Sequence, residues 1–135
     1  MKFNSIIEAA AGDRMAVPEG WGQGRATFGG LVGAILIRHM DAHLGVDAPP
    51  LRSFTVSFVA PMVPGPVDLE ATTLRAGKSV TQVQVTARQE GQEVATMLAS
   101  LGATPNLPTH TSDCCMSLGP HLNAVVEVTS RADFN

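Results

Sequence analysis

The stretch Phe28-Gly29-Gly30-Leu31-Val32-Gly33-Ala34-Ile35-Leu36-Ile37-Arg38-His39-Met40 constrains this chain more than any other. It is too long for a strand and contains no proline, which predicts a helix from about Gly29 to Leu44. Arg38, His39, Asp41 and His43 enter only near its end. Its first two turns are apolar on nearly every side, so a buried rather than an amphipathic helix is expected. A buried helix must be wrapped, and the rest of the chain offers strands, so the expectation is a sheet curled around it. The helix start presents the backbone N–H groups of Gly29, Gly30 and Leu31. With no Cβ at Gly29 and Gly30, a ligand can approach closely. Such an end attracts a phosphate or a polarised carbonyl oxygen.

The segments around this helix follow in order. Ser5 to Ala11 reads as a short helix, with Ser5 as N-cap, Glu8 closing a capping box and Gly12 ending it. Arg14 to Gly24 holds Pro18, Gly20, Gly22 and Gly24 and reads as a loop. Trp21 lies inside it, as a lid over the core or as a wall for a ligand. Arg25 to Phe28 is an extended entry to the helix. After a turn at Gly45–Pro50, residues 51–60 alternate: Phe54, Val56, Phe58 and Ala60 face one way, Ser53, Thr55 and Ser57 the other. Pro61 to Pro66 should break the strand, because proline cannot donate to a ladder. Val67, Leu69 and Ala71 then alternate in a second strand, and Val83, Val85 and Ala87 in a third, with a hairpin turn at Ala76–Ser79 between them. Glu90-Gly91-Gln92 turns again. Val94 to Leu101 is apolar on both faces, which predicts a central strand or one covered by a partner. The order, a helix and then an antiparallel meander without βαβ alternation, places the chain in the α+β class. From Thr104 a polar, proline-bearing tail begins, and Leu122 to Thr129 reads as one further strand. The expected division is a domain over residues 1–103 and a linker or tail over 104–135, which either adds a strand to an existing edge or begins a second unit.

Composition removes several function classes. A net charge of −3 with no Lys/Arg cluster gives no nucleic-acid footprint. Five Phe, one Trp and no Tyr leave little for base stacking. With 44% hydrophobic and 16% charged residues, the chain reads as a globular domain. No apolar run reaches membrane-spanning length, and Met1-Lys2-Phe3-Asn4 does not open a signal peptide. The adjacent Cys114 and Cys115 suit neither a disulfide framework nor a zinc site, and read as thiols in a reducing cytoplasm. His39 and His43 stand one helical turn apart, but no third ligand accompanies them. They are read as a solvated C-terminal turn favoured by the helix dipole, so no metal and no cofactor is expected.

Four motifs taken together resemble the first half of the type II acyl-CoA thioesterases, the double-hotdog members of the hotdog superfamily. They are Phe28-Gly29-Gly30-Leu31-Val32-Gly33-Ala34; Ser53 through Pro61 with Gly65; Leu74-Arg75-Ala76-Gly77-Lys78-Ser79; and Val85-Thr86-Ala87-Arg88-Gln89. The similarity covers roughly residues 15–103. It implies a hotdog fold, a long central helix held in a curved antiparallel sheet. It also implies that two hotdogs pair with the thioester between them and CoA running to the surface. The implied activity is hydrolysis of an acyl-CoA thioester to a free acid and CoA. The alternative is a non-catalytic acyl-thioester-binding or structural hotdog.

Thioester hydrolysis needs an oxyanion stabiliser and a group that activates water. The backbone N–H groups of Gly30 and Leu31 are the candidates for the first. For the second, the helix has no carboxylate before Asp41, and the positions that best match the catalytic groups of related enzymes hold Gly33 or Ala34, Leu51 and Ala99. The chain therefore resembles the non-catalytic half, and a partner hotdog is expected to supply the water-activating acid. Gly29, Gly33, Thr27, Gln23 and Trp21 are the expected pocket residues, and Lys78, with Arg75, the expected contact for CoA phosphates. Thr27 and Gln23 also suit ordinary turn and cap hydrogen bonds, and Lys78 a solvated turn. A single hotdog leaves sheet edges unpaired and the apolar helix incompletely covered, which predicts a two-fold homodimer, or a dimer of dimers, joined edge to edge.

Overall fold

The computed structural model of the chain describes residues 2–103 and the backbone of a strand at Val125–Ser130. Cys114, Cys115 and the linker from Thr104 lie outside the described residues. The elements are α1 (Phe3–Ala9), β1 (Arg14–Val17), β2 (Gly22–Gln23), β3 (Ala26–Thr27), α2 (Gly29–Leu44), β4 (Leu51–Phe58), β5 (Gly65–Ala76), β6 (Thr81–Gln89), β7 (Gln92–Leu101) and β8 (Val125–Ser130). Helix α2 occupies the predicted range, and the Gly45 N–H closes its last turn on the Asp41 carbonyl at 2.9 Å.

Leu31, Val32, Ile35, Leu36, His39 and Met40 are the buried residues of α2, adjacent pairs recurring at helical spacing and thus one face. That face packs on β5, β6 and β7. On the opposite face Gly30 is exposed, and Gly33, Ala34 and Ile37 are half-buried. This corrects the expectation of a helix enclosed on every side. One sheet covers one side, so an apolar strip of α2 stays partly open.

The main sheet runs β1-β5-β6-β7-β4-β8, and a separate two-stranded ribbon joins β2 to β3. Every pair from β1 to β4 is antiparallel, whereas β8 joins β4 in parallel, Ser53 opposite Val125 through Phe58 opposite Ser130. The alternation seen in the sequence becomes burial against α2: Phe54 and Val56, Val67 and Leu69, Val83, Val85 and Ala87, and Ala95, Met97, Ala99 and Leu101 all face the core. Strand β7 is central, between β6 and β4, which accounts for its apolar character; on its outer face Leu98 remains exposed. Gln89 and Gln92 flank a two-residue turn in which Glu90 (φ 51°) and Gly91 (φ 77°) are both left-handed, the geometry that matches the twist of paired strands.

Three local expectations change. Helix α1 starts at Phe3, with Lys2 as N-cap and no side-chain cap bond, so the Ser5–Glu8 capping box does not form. The Phe3 ring, in its first turn, lies 6.1 Å from that of Trp21. Arg14–Val17 is a strand and not a loop: Met15 and Val17 are buried, and the glycines and proline that signalled a loop lie beyond Val17. Gly65 and Pro66 pair with Val17 and Ala16 instead of breaking the sheet. Pro66 is tolerated because β5 acquires its other neighbour only from Asp68, so the missing N–H falls at a strand start.

Candidate functional site

The ribbon β2–β3 delivers the chain to the start of α2. Phe28 is the N-cap residue, and its own N–H donates to the Trp21 carbonyl at 2.7 Å. The first helical N–H groups have no intrahelical acceptor by construction. Leu31 nevertheless finds one. Its N–H donates to the Phe28 carbonyl at 3.0 Å, in a tight first turn, and Val32 shares that carbonyl at 3.2 Å. This corrects the assignment of Leu31 as a free donor. Among the described residues nothing accepts from Gly29 or Gly30, so the open pair is Gly29 with Gly30.

Two phenylalanine rings flank these glycines. A Cβ on Gly29 would stand 3.2 Å from Phe58 Cζ, and one on Gly30 only 2.6 Å from Phe28 Cε1. The absence of side chains lets both rings close on the helix start. Phe28 is 43% exposed, so its ring has room to swing away. Gly33, one turn on, has nothing within 4 Å of an added Cβ. The result is a helix start with two backbone donors along its axis and an aromatic ring against each glycine. Chemically it suits a polarised carbonyl oxygen next to an apolar chain.

The other expected site residues divide. Thr27 is buried, and both its N–H and its hydroxyl donate to the Met62 carbonyl, each at 2.8 Å. Its side chain is therefore spent on fixing the chain before the helix. Trp21 is half-buried against the core, with its ring tilted against Phe3. Gln23 is exposed opposite Ala26 in the ribbon. Lys78 is not at this site within the chain. Its hairpin lies beyond Thr81, which pairs with Leu101 and so with the Leu51 end of β4, whereas Gly29 touches Phe58 at the other end. Those ends are roughly 23 Å apart at the rise of a strand.

No acidic residue lies in the first turn of α2. Asp41, about 18 Å along the helix axis, has its carboxyl raised from its ordinary value by partial desolvation, with Arg38 opposing the shift. His39 departs from its expected solvated state: it is 4% exposed, and its Nδ1–H donates to the Ala10 carbonyl at 3.0 Å, pinning α1 to α2. His43 is exposed and shares a 3.0 Å hydrogen bond with the Thr73 hydroxyl. Among the described residues no three His, Cys, Asp or Glu side chains group as metal ligands, and no helix is long and apolar enough to cross a membrane. The sequence reading missed the two rings. Phe28 was legible as the neighbour of Gly29, but the approach of Phe58 depends on β4 ending under the helix.

Residues 17–102 match the family model for the acyl-CoA thioesterase N-terminal domain. Among solved structures, a conserved protein of unknown function with a hot dog fold from Alicyclobacillus acidocaldarius is 25% identical, with a TM-score of 0.68 over 84% of this chain and 46% of that one. A Thermobifida fusca protein assigned as a thioesterase II is 27% identical, with a TM-score of 0.62 over 79% and 42%. A Streptococcus mutans protein solved with acetyl CoA shares the fold at 18% identity, with a TM-score of 0.61 over 67% and 77%. The chain thus spans less than half the length of the first two. A comparison with curated proteins finds no match.

Proposed function

The chain belongs to the acyl-CoA thioesterase N-terminal domain family, and from that premise we propose that it binds an acyl-CoA thioester at the start of α2 and takes part in its hydrolysis to a free acid and CoA. The observation that carries the reading is the pair of backbone donors at Gly29 and Gly30 without an acceptor among the described residues, flanked by the rings of Phe28 and Phe58. A thioester carbonyl seated there gains most from those donors as its oxygen becomes an oxyanion, because they are fixed in place before reaction. The acetyl CoA held by the Streptococcus mutans structure is consistent with a ligand of this class for the fold.

The water-activating group is assigned to a partner hotdog, since α2 carries no carboxylate near its start. The partner is read as a second copy, the alternative being a second unit that begins within residues 104–135. Two features support pairing: the half-open apolar strip Gly33, Ala34 and Ile37, and the separation of Lys78 from the helix start. With β8 seated on β4, a two-fold neighbour on that side would pair along β8, and an antiparallel arrangement there turns its Lys78 hairpin toward the end of the sheet that carries this helix start. The chain is expected to elute as a dimer or larger on gel filtration with light scattering. A monodisperse mass near 14.1 kDa at micromolar concentration overturns the pairing.

A panel of acyl-CoA substrates assayed by thiol release tests the activity. Hydrolysis of at least one chain length above the buffer rate is expected. Saturable binding without turnover would instead support the second reading, a thioester-binding hotdog, which the absence of an acidic residue from the first turn of α2 favours.

A further inference from the structure

The helix start is held by a loop that cannot hold itself. Between β4 and β5 runs Val59-Ala60-Pro61-Met62-Val63-Pro64, and β5 opens with Gly65-Pro66. Prolines at 61, 64 and 66 carry no N–H, so this segment lacks the donors to build its own ladder. The Val59 and Ala60 N–H groups both donate to the Val94 carbonyl, at 3.0 and 3.2 Å, which fixes the beginning. Gly65 and Pro66 are held by pairing with β1 and Met62 by Thr27, while Val63 between them is fixed by one side chain from β6. The Val63 N–H donates to Gln89 Oε1 at 3.0 Å, and Gln89 Nε2 donates to the Val63 carbonyl at 2.8 Å and to the Pro66 carbonyl at 3.3 Å. Donating to and accepting from the same residue, the carboxamide does what the peptide group of a neighbouring strand would do.

The residue before Val63 is Met62. It is buried, and its carbonyl accepts both the N–H and the hydroxyl of Thr27. Thr27 leads directly into Phe28 and the open donors at Gly29 and Gly30. The connection is therefore continuous: Gln89 to Val63, Met62 to Thr27, Thr27 to the first turn of α2. An oxyanion site tolerates little displacement of its donors. We propose that Gln89 is a positioning residue for the Gly29–Gly30 donor pair, acting through the proline-bearing loop and Thr27. Glutamate has the same shape but offers no donor when ionised, and turns a carboxylate toward the Val63 and Pro66 carbonyls. Asparagine keeps the donors but falls one methylene short.

This deepens the reading of the helix start as a thioester site and rests on it only for turnover; the positioning itself is read without substrate. In the full chain, Gln89→Glu is expected to shift the amide resonances of Gly29 and Gly30 at pH 7. At pH 4, where a glutamic acid is largely protonated and can donate again, the resonances should return toward those of the wild-type chain measured at the same pH. Gln89→Asn, which introduces no charge, should produce the shift at both pH values, and covers the case in which Gln89→Glu does not fold. In thiol-release assays both variants should lose at least tenfold in kcat at pH 7 with KM within about twofold of wild type, the split expected when only transition-state contacts suffer. Resonance changes confined to Val63 and Pro66 neighbours, with Gly29 and Gly30 unmoved, overturn the proposal. A wild-type chain without turnover would overturn the thioesterase reading instead, and the amide resonances would still decide the role of Gln89.

Discussion

Gly30→Val is expected to lower thioester turnover by at least a hundredfold while leaving the fold in place. The scale follows from loss of a fixed oxyanion donor, which costs about 10²–10³ in rate. The valine side chain enters the space through which a carbonyl reaches the Gly29 and Gly30 N–H groups. It also displaces the Phe28 ring, whose Cε1 and Cζ lie 2.6 and 2.8 Å from the new Cβ. Because that ring is partly exposed and can rotate into solvent, the collision is relieved without moving backbone. Valine at an exposed first-turn position costs no more helix propensity than the glycine it replaces. Gly33→Ala is the comparison for stability: its Cβ meets nothing within 4 Å in the chain, and removing a helical glycine should stabilise it by about 0.5–1 kcal/mol. Thiol release and thermal melts on the two variants check both halves of the expectation. Wild-type turnover by Gly30→Val would remove the helix start as the site.

A second glycine should have the opposite profile, with stability and not chemistry affected. Gly102 is buried at the end of β7, and its N–H donates to the Pro50 carbonyl at 2.8 Å. A Cβ there would collide with the Ser79 carbonyl oxygen. Unlike the Phe28 ring, this obstacle is backbone. It belongs to a hairpin closed by the Gly77 N–H on the Val80 carbonyl at 2.9 Å, so relief requires moving the hairpin tip or stretching the bond to Pro50. Overpacking of this kind costs about 2–3 kcal/mol, and Gly102→Ala should lower Tm on the order of 10 °C. A melt within a degree or two of wild type would show that the hairpin yields freely.

The contrast between Gly30 and Gly102 marks what a sequence of this kind discloses. Gly30 announces itself through Phe28, Gly29 and the apolar run behind it. Gly102 stands alone after Leu101, and only the packing of the β5–β6 hairpin against the end of β7 makes it indispensable. Thr27 and Gln89 show the same limit. Each is a polar residue near an element end, and nothing in its neighbours along the chain says that the two are linked through Met62 and Val63.

Local pattern was sufficient for the span of α2 from Gly29 to Leu44, for the inward alternation of Phe54, Val56, Val83 and Val85, for the Glu90–Gly91 turn, and for an α+β order of helix and antiparallel strands; the hotdog came from the resemblance of four motifs to a known family. These depend on side-chain period and backbone preference, which are properties of neighbouring residues. Tertiary structure decided the rest. The start of α1 moved to Phe3, whose ring lies beside that of Trp21. Arg14–Val17 became a strand because β5 offers it an edge. His39 was buried because α1 crosses the end of α2. Leu31 lost its free donor to the Phe28 carbonyl, and the parallel seat of β8 was set by the open edge of β4. In each case the deciding partner is remote in sequence or fixed by the exact turn of the backbone, and the free energy of a contact depends on which groups meet in space rather than on the order in which they are written.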